Sequence, residues 1–310
     1  MKWRTEVKVP DNKGFLRYEH VSLSIGSCFS EEIGKRLKES GFDISVNPFG
    51  VIFNPVSIMQ LIQNALDGET RENLLLERDM KFFHYGYHSS LFGFTREEIL
   101  DKIETTHFTV QKRLLEGDRL FLTFGSAWVY RLVEQGVVVA NCHKMPSQLF
   151  TKELIDLNKL REFSERLFSK LFELNPKLEI VLTVSPVRHS RDGLHENNLS
   201  KSVLHLFCKQ LTESFDQINY FPSYELVVDE LRDYRFYKED LVHPTQQAIE
   251  FVFENFRKSN FDEPTEQKFF LHEQLRKAEN HLFLNATIEE VRKHEEYIAE
   301  LKQKLAGIEQ

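Results

Sequence analysis

Five short apolar segments along the chain have the composition of buried β-strands, and amphipathic helical segments separate them. The five segments are residues 21–25, 43–47, 119–124, 178–184 and 218–221. A strand that is followed by a helix and another strand pairs in parallel with it, because the helix returns the chain to the same edge of the sheet. The alternation therefore predicts an α/β fold, a doubly wound three-layer sandwich around a five-stranded parallel sheet.

Polar residues and glycines suited to chemistry follow each of these segments. In sheets of this type, ligands bind outside the carboxyl ends of the strands. The residues are Ser27 after the first segment, Gly50 after the second, Gly125 after the third, 186–189 after the fourth, and Asp240 with His243 beyond the fifth. We therefore expect them to meet at one edge of the sheet.

Ser27 lies in a Gly-Ser-Cys-Phe turn between the first strand and the first helix. Free backbone N–H groups and the positive end of the helix dipole meet at such a turn, and both favour an oxyanion beside the hydroxyl. Serine is also a preferred helix cap, so the turn alone is at least as well explained by a capping hydroxyl.

A second feature is the Asp-x-x-His sequence formed by Asp240 and His243, which Pro244 follows. At this spacing the carboxylate can hold one ring nitrogen of the imidazole, and the other nitrogen is free to take a proton from a serine. The combination with the Gly-Ser turn predicts a nucleophilic serine with a histidine base.

Charge and composition exclude several classes of protein. The 310-residue chain carries a net charge of −8, which argues against a nucleic-acid backbone or an anionic membrane as the main partner. No segment approaches the ~20 apolar residues of a membrane span, and residues 1–6 lack the apolar run of a signal peptide. The three cysteines, Cys28, Cys142 and Cys208, suggest no disulfide framework. We expect a soluble cytoplasmic protein without a cofactor.

The composition shifts to Glu, Lys, Gln and Leu near residue 263, so we expect a domain over 1–262 and a helical extension over 263–310. Apolar residues of the extension recur at heptad spacing: Val291, Ile298, Leu301, Leu305 and Ile308. Such a helix either packs back on the domain or forms a homodimer.

Four local predictions concern segments outside the sheet. Residues 80–94 are aromatic and interrupted by glycine, which predicts an ordered excursion rather than a helix. Residues 129–141 have the pattern of a hairpin. Thr151 is expected to cap a long helix, and residues 1–20 to form a strand or arm on the domain.

The stretch Ile25-Gly26-Ser27-Cys28-Phe29-Ser30 resembles the signature of the GSCFA domain family, with Ser30 where the family has alanine. Further stretches resemble that family over about residues 20–250: 47–50, 54–55, 88–89, 123–128, 141–144 and 185–188. GSCFA domains are in turn similar to SGNH (GDSL-like) hydrolases, which are flavodoxin-like sandwiches that act on acyl esters. The resemblance implies that fold and a serine esterase.

The resemblance also implies the roles of individual residues. Ser27 matches the nucleophile, although the aspartate that SGNH enzymes carry between glycine and serine is missing, and Asp240 with His243 matches the Asp-x-x-His block. Ser27 would attack an ester carbonyl while His243, oriented by Asp240, removes its proton. Carbohydrate O-acyl esters are the substrates that this analogy favours. Acyl transfer to another alcohol or amine would use the same residues.

The oxyanion hole is where the sequence departs from the SGNH pattern. The implied donors are the backbone N–H groups of Ser27, Cys28 and Gly50. The third block has Ala127 where an asparagine donor is expected, and the candidate replacements are Asn141 and His143. The missing asparagine favours a second interpretation, in which the fold is kept as a non-catalytic binding module.

Four further side chains lie in segments that we expect near the predicted site, so we expect them to contact the substrate. The residues expected to contact the substrate are His88, His143, Arg188 and His189. Arg188 suits a substrate carboxylate or phosphate, and a surface salt bridge explains it nearly as well.

Cysteine and metal chemistry are weaker alternatives. Cys28 is intrinsically a better nucleophile than serine, but beside Ser27 it is expected to pack inward as a small apolar residue. A metal site from Cys142, His143, His84 and His88 is not supported by a dedicated zinc spacing, so we predict none.

Overall fold

The computed structural model describes residues 4–308 of the chain. Within them the strands, in chain order, are β1 (Ser22–Gly26), β2 (Ile44–Val46), β3 (Leu75–Arg78), β4 (Lys81–His84), β5 (Arg119–Phe124), β6 (Trp128–Leu132), β7 (Val137–Val139), β8 (Phe150–Leu154), β9 (Glu179–Val184) and β10 (Ile218–Tyr220). The α-helices of the same residues are α1 (Cys28–Glu39), α2 (Pro55–Asp67), α3 (Arg96–Glu116), α4 (Leu157–Leu174), α5 (Leu194–Ser214), α6 (Ser223–Glu225), α7 (Gln246–Asn260), α8 (Glu263–Glu279) and α9 (Ile288–Ile308). A π-helical segment, Leu226–Leu231, continues α6.

The central sheet has five parallel strands in the order β2-β1-β5-β9-β10. Numbered by their sequence order within this sheet, the strands follow the flavodoxin-like order 2-1-3-4-5. The order reverses between β1 and β5, so the crevice for a ligand is expected outside the carboxyl ends of these two strands. The predicted fold class is confirmed.

Apolar residues cover both faces of the sheet. On β5, Leu120 and Leu122 point into a core shared with α2, α3, α4 and α5, whereas Phe121 points to the opposite face. That second core contains residues of α1, α7 and α8, among them Leu37 and Val252. Successive strand residues face opposite sides of a sheet, so helices on both faces bury every residue of β1 and β5 and most residues of the other strands.

Two helices begin at the cap residues that the sequence contains. The Oδ1 atom of Asn54 accepts the N–H of Ser57 at 2.8 Å, with Pro55 at the first position of α2. The Oγ1 atom of Thr95 accepts the N–H of Glu98 at 3.1 Å at the start of α3. Each cap satisfies an N–H group that the helix itself leaves without a partner.

The region around residues 75–94 contains a hairpin that the sequence did not indicate. Strands β3 and β4 pair in antiparallel fashion, and the turn between them consists of Asp79 and Met80, both with positive φ. Such turns normally carry Asn-Gly or Asp-Gly, so the usual signal is missing here.

The prediction that Thr151 caps a long helix is wrong. Thr151 lies in β8, which pairs with β6 beside the predicted β6–β7 hairpin. The helix that follows, α4, begins at Leu157, and its cap is Asp156, whose carboxylate accepts the N–H of Asn158 at 3.0 Å.

Both terminal segments pack on the sandwich. In the N-terminal arm, the N–H groups of Asn12 and Leu16 donate to the backbone at the end of α7. At the other end, α9 packs back on α8, because its residues Leu301 and Leu305 are buried and Lys302 pairs with Glu279 at 2.8 Å. Residues 1–3 and 309–310 of the predicted arm and extension lie outside the described part of the chain. Within residues 4–308, no helix combines the length and apolar character needed to cross a bilayer.

Candidate active site

Ser27 stands between the end of β1 and the start of α1, at the edge where the strand order reverses. The residue is 2% exposed, and its N–H donates to the carbonyl oxygen of Thr123 on β5. Its hydroxyl makes no capping hydrogen bond to α1 and has no hydrogen-bond partner within residues 4–308. The capping explanation of this serine is therefore wrong.

A buried hydroxyl without a partner costs ~1–3 kcal/mol, so its presence calls for a reason. The first turn of α1 lies beside it, and no oxygen within residues 4–308 accepts the N–H groups of Cys28 or Phe29. These donors and the helix dipole favour negative charge next to Ser27. Burial raises the pKa of the Cys28 thiol, which keeps it protonated and weakens the case for a cysteine nucleophile.

Asn47 supplies a donor that sequence reasoning missed. Its Oδ1 atom accepts the N–H of Gly26 at 2.8 Å, and its Nδ2 amide is buried without a hydrogen-bond partner in the described residues. The N–H of Gly26 can only donate, so the amide oxygen faces Gly26 and the NH₂ group is the free end. The free amide group of Asn47 therefore belongs to a side chain that contacts Gly26, the residue before Ser27.

Two of the N–H groups expected to bind the oxyanion already donate to backbone carbonyl oxygens. The N–H of Gly50 donates to the carbonyl oxygen of Asn47 at 2.7 Å, which closes a turn, and the N–H of Ser27 is taken by Thr123. Of the three N–H groups expected to bind the oxyanion, only that of Cys28 is left without an oxygen acceptor in the described residues. Gly50 has φ of 77°, and a Cβ there would lie 2.4 Å from the Cβ of His88, so no other residue fits.

His189 lies closer to Ser27 than its predicted role as a substrate contact requires. A Cβ placed on Gly125 would lie 3.3 Å from the Nε2 atom of His189 and 3.4 Å from the Cβ of Ser27. The imidazole and the serine therefore flank one glycine. The ring of Phe53 packs at 5.5 Å from that of His189, and the side chain of Asn197 accepts its backbone N–H at 2.9 Å.

Asp240 and His243 form the pair that their spacing predicts. The Oδ2 atom of Asp240 lies 2.7 Å from Nδ1 of His243, and Oδ1 accepts the N–H groups of Val242 and His243. These hydrogen bonds, that of the His243 N–H foremost, hold the pKa of Asp240 well below its usual value. The carboxylate is therefore charged and orients the imidazole.

The loop of this pair is tied to the segment that carries His189. The carbonyl oxygen of Val242 accepts the N–H of Arg188 at 3.1 Å. The Asp240–His243 pair is about half exposed, and the hydroxyl of Ser27 is not hydrogen-bonded to the imidazole. Thus the structure forms the carboxylate–imidazole half of the predicted triad and brings its loop to the same edge, without the serine–imidazole hydrogen bond.

Lys201 on α5 is a second residue that sequence reasoning missed. It is 2% exposed, and its Nζ atom donates to the carbonyl oxygens of Gly125 and Ser185, at 2.7 Å each. It thereby joins the segments that follow β5 and β9. Burial lowers the pKa of Lys201 to about 7.

Asn141 and His143, the candidate replacements for the missing donor, are used elsewhere. The side chain of Asn141 accepts the N–H of His143 at 2.7 Å, and Nε2 of His143 contacts the carbonyl oxygen of His84 at 3.0 Å. Burial lowers the pKa of His143 to about 4. Neither side chain is hydrogen-bonded to Ser27 in the described chain, because both make these contacts instead.

His88 packs beside Gly50, and burial lowers its pKa. Arg188 has no ion pair within residues 4–308, which removes the surface salt bridge as its explanation.

Among the same residues, no group of three or more His, Cys, Asp or Glu side chains is arranged to hold a metal ion. The cysteines Cys28, Cys142 and Cys208 are free thiols.

The chain is thus a flavodoxin-like sandwich with a buried serine at the switch point of its sheet and a hydrogen-bonded Asp–His pair in a loop tied to the segment after β9. The chain belongs to the GSCFA family, whose model matches residues 22–256.

Two solved structures are similar in fold. A family 3 carbohydrate esterase from Clostridium thermocellum is 11% identical with a TM-score of 0.35, and covers 77% of this chain and 94% of its own. A carbohydrate esterase family 3 structure from Talaromyces cellulolyticus is 8% identical with a TM-score of 0.33, and covers 82% of this chain and 99% of its own. Likeness at this level carries no argument about activity. No curated protein matches the chain.

Proposed function

We propose that this protein is a serine hydrolase of acyl esters with Ser27 as its nucleophile. The observation that carries the proposal is the buried Ser27 hydroxyl, which neither caps α1 nor has any other partner in residues 4–308, at the switch point of the sheet. The buried Ser22, Ser57 and Ser164 also lack a hydroxyl partner in these residues, so the place of Ser27 at the switch point, beside the first turn of α1, is what sets it apart. A nucleophile there must keep its oxygen for the substrate.

The proposed reaction follows from the groups around this hydroxyl. His243, oriented by Asp240, takes the Ser27 proton as the oxygen attacks the ester carbonyl carbon. The N–H of Cys28 and the Nδ2 amide of Asn47 donate to the resulting oxyanion. The intermediate collapses, the imidazolium returns the proton to the leaving alcohol, and water then hydrolyses the acyl-enzyme with the same base. Hydrogen bonds of this kind are often long before substrate binds, so Ser27 and His243 are expected to close on the substrate.

His189 is a second candidate for the base, because its Nε2 atom and the Ser27 side chain flank the same glycine, Gly125. His243 remains the first choice because the carboxylate of Asp240 lies 2.7 Å from its Nδ1 atom and orients the ring. The substrate class we favour, O-acyl esters of carbohydrates, rests on the resemblance of the family to SGNH hydrolases. Acyl transfer would use the same groups.

Labelling with a serine-directed fluorophosphonate tests the proposal. We expect the wild type and Cys28→Ala to be labelled and Ser27→Ala not to be. Labelling lost in His243→Asn and kept in His189→Asn identifies His243 as the base, and the reverse identifies His189. A folded wild type that takes no label would overturn the enzyme and favour the binding module.

A further inference from the structure

A pocket of about 200 Å³ lies next to the proposed site, on the side of the segment that follows β9. Its walls come from that segment, the start of α5, the π-helical segment and the loop after it; the lining residues used below are Arg188, Asn197, Tyr224, Arg232, Tyr234 and Tyr237. Two contacts tie the pocket to the site. The side chain of Asn197 accepts the backbone N–H of His189 at 2.9 Å, and Arg188 donates to the loop of the Asp240–His243 pair.

The pocket carries uncompensated positive charge. Neither Arg188 nor Arg232 has an ion pair within residues 4–308. The one acidic residue of the described chain that lines the pocket, Asp233, interacts with Arg235, whose guanidinium lies 3.8 Å away and whose N–H it accepts at 2.9 Å. Two guanidinium groups without an ion pair in the described residues suit an oxyanion ligand.

Three tyrosines complete the lining. The guanidinium of Arg188 lies 5.7 Å from the ring centroid of Tyr234 and 5.6 Å from that of Tyr237, within cation–π distance of both. Burial raises the pKa of Tyr237, so its phenol stays neutral and can donate a hydrogen bond. Aromatic faces with hydroxyl and amide groups at their edges offer both the apolar and the polar contacts that a sugar ring makes.

The size of the pocket limits its occupant. Pockets for drug-sized ligands measure ~300–1,000 Å³, so about 200 Å³ suits one small ring. We propose that this pocket is a subsite for a single sugar unit bearing an oxyanion group, a carboxylate or a phosphate, held by Arg188 and Arg232. If the proposed function holds, the subsite defines the substrate class of the hydrolase as an acylated, anionic carbohydrate. In that respect this inference rests on the proposed function.

Calorimetric titration of the full chain with glucuronate, glucose 6-phosphate and glucose tests the subsite directly. We expect the wild type to bind at least one anionic sugar at least tenfold more tightly than glucose, and the preferred anion identifies carboxylate or phosphate as the group recognised. Arg188→Gln and Arg232→Gln should each weaken that binding at least tenfold. Arg235→Gln, in the same loop but not in the lining, is the matched control and should bind as the wild type does.

Thermal unfolding of each variant checks that the variant is folded. Tyr234→Ala is a second lining variant that should keep the fold, because Tyr234 is 64% exposed. Equal binding of glucose and both anions, no binding of any of them, or unchanged affinity in both arginine variants would overturn the subsite. Ser27→Ala separates the two proposals. Anionic sugars should still bind to it, and a wild type that binds them but takes no fluorophosphonate label keeps the subsite while refuting the hydrolase.

Discussion

Replacement of Lys201 by methionine should change how the stability of this protein depends on pH. Burial lowers the pKa of Lys201 from 10.5 to about 7. Between these pH values the unfolded chain binds a proton that the folded protein does not, so the free energy of unfolding rises with pH across this window. Each pKa unit corresponds to ~1.4 kcal/mol, so the charged ammonium costs the folded protein ~5 kcal/mol below pH 7 relative to pH above 10.5.

The assay is urea unfolding of the wild type and Lys201→Met at half-unit steps from pH 6 to 9.5. The methionine cannot donate to Gly125 and Ser185, which shifts stability at every pH. The diagnostic quantity is therefore the difference between the two proteins as a function of pH. We expect the wild type to gain roughly 3 kcal/mol on the variant between pH 7 and 9.5.

The exposed Lys209 of the same helix provides a matched control, because Lys209→Met removes a lysine from α5 without touching the site. If the difference in the free energy of unfolding between the wild type and Lys201→Met stays constant with pH, the pKa of Lys201 is not lowered in the folded protein. The two carbonyl oxygens would then keep Lys201 fully charged throughout the range.

Further predictions concern the site itself. Asn47→Asp keeps an acceptor for Gly26 but removes the amide donor, so kcat on an aryl ester should fall ~10²–10³-fold, with KM little changed; an unaltered kcat would exclude Asn47 from the oxyanion hole. Asp240→Asn should lower kcat by as much as ~10⁴-fold with only a small loss of melting temperature, since the amide oxygen can still accept the N–H groups of Val242 and His243 and the side chain is about half exposed. Gly125→Ala should slow fluorophosphonate labelling, because the added Cβ would lie 2.8 Å from Phe53 and press on His189 and Ser27; labelling at the wild-type rate would contradict the close packing found there.

The five parallel strands were within reach of the sequence, because buried parallel strands are short, apolar and separated by helices. The flavodoxin-like arrangement was implied by the family resemblance. The β3–β4 hairpin was not within reach, since Met80 takes the place of the glycine that usually follows Asp in such a turn. The prediction of a helix start at Thr151 was wrong for a related reason. A threonine before an apolar run suits a strand as well as a cap, and the pairing of β8 with β6 decides between them.

Motifs located part of the site, and long-range contacts supplied the rest. Ser27, Asp240 and His243 could be named because each lies in a short pattern. The position of Asn47 depends on its contact with Gly26, 21 residues away, and that of Lys201 on carbonyl oxygens 76 and 16 residues away. The sequence could not show that the chain after the β6–β7 hairpin folds against β4, where His143 contacts His84 and Asn141 accepts the N–H of His143.

Trapping the acyl-enzyme is the most direct test of Ser27 as the nucleophile. The protein would be mixed with p-nitrophenyl acetate, quenched in acid within the first turnover and digested for peptide mass spectrometry. The account predicts an acetyl group on Ser27 that is absent from Ser27→Ala and from His243→Asn. An acetyl group on Cys28 or another residue, or a burst of p-nitrophenol that Ser27→Ala retains, would contradict it.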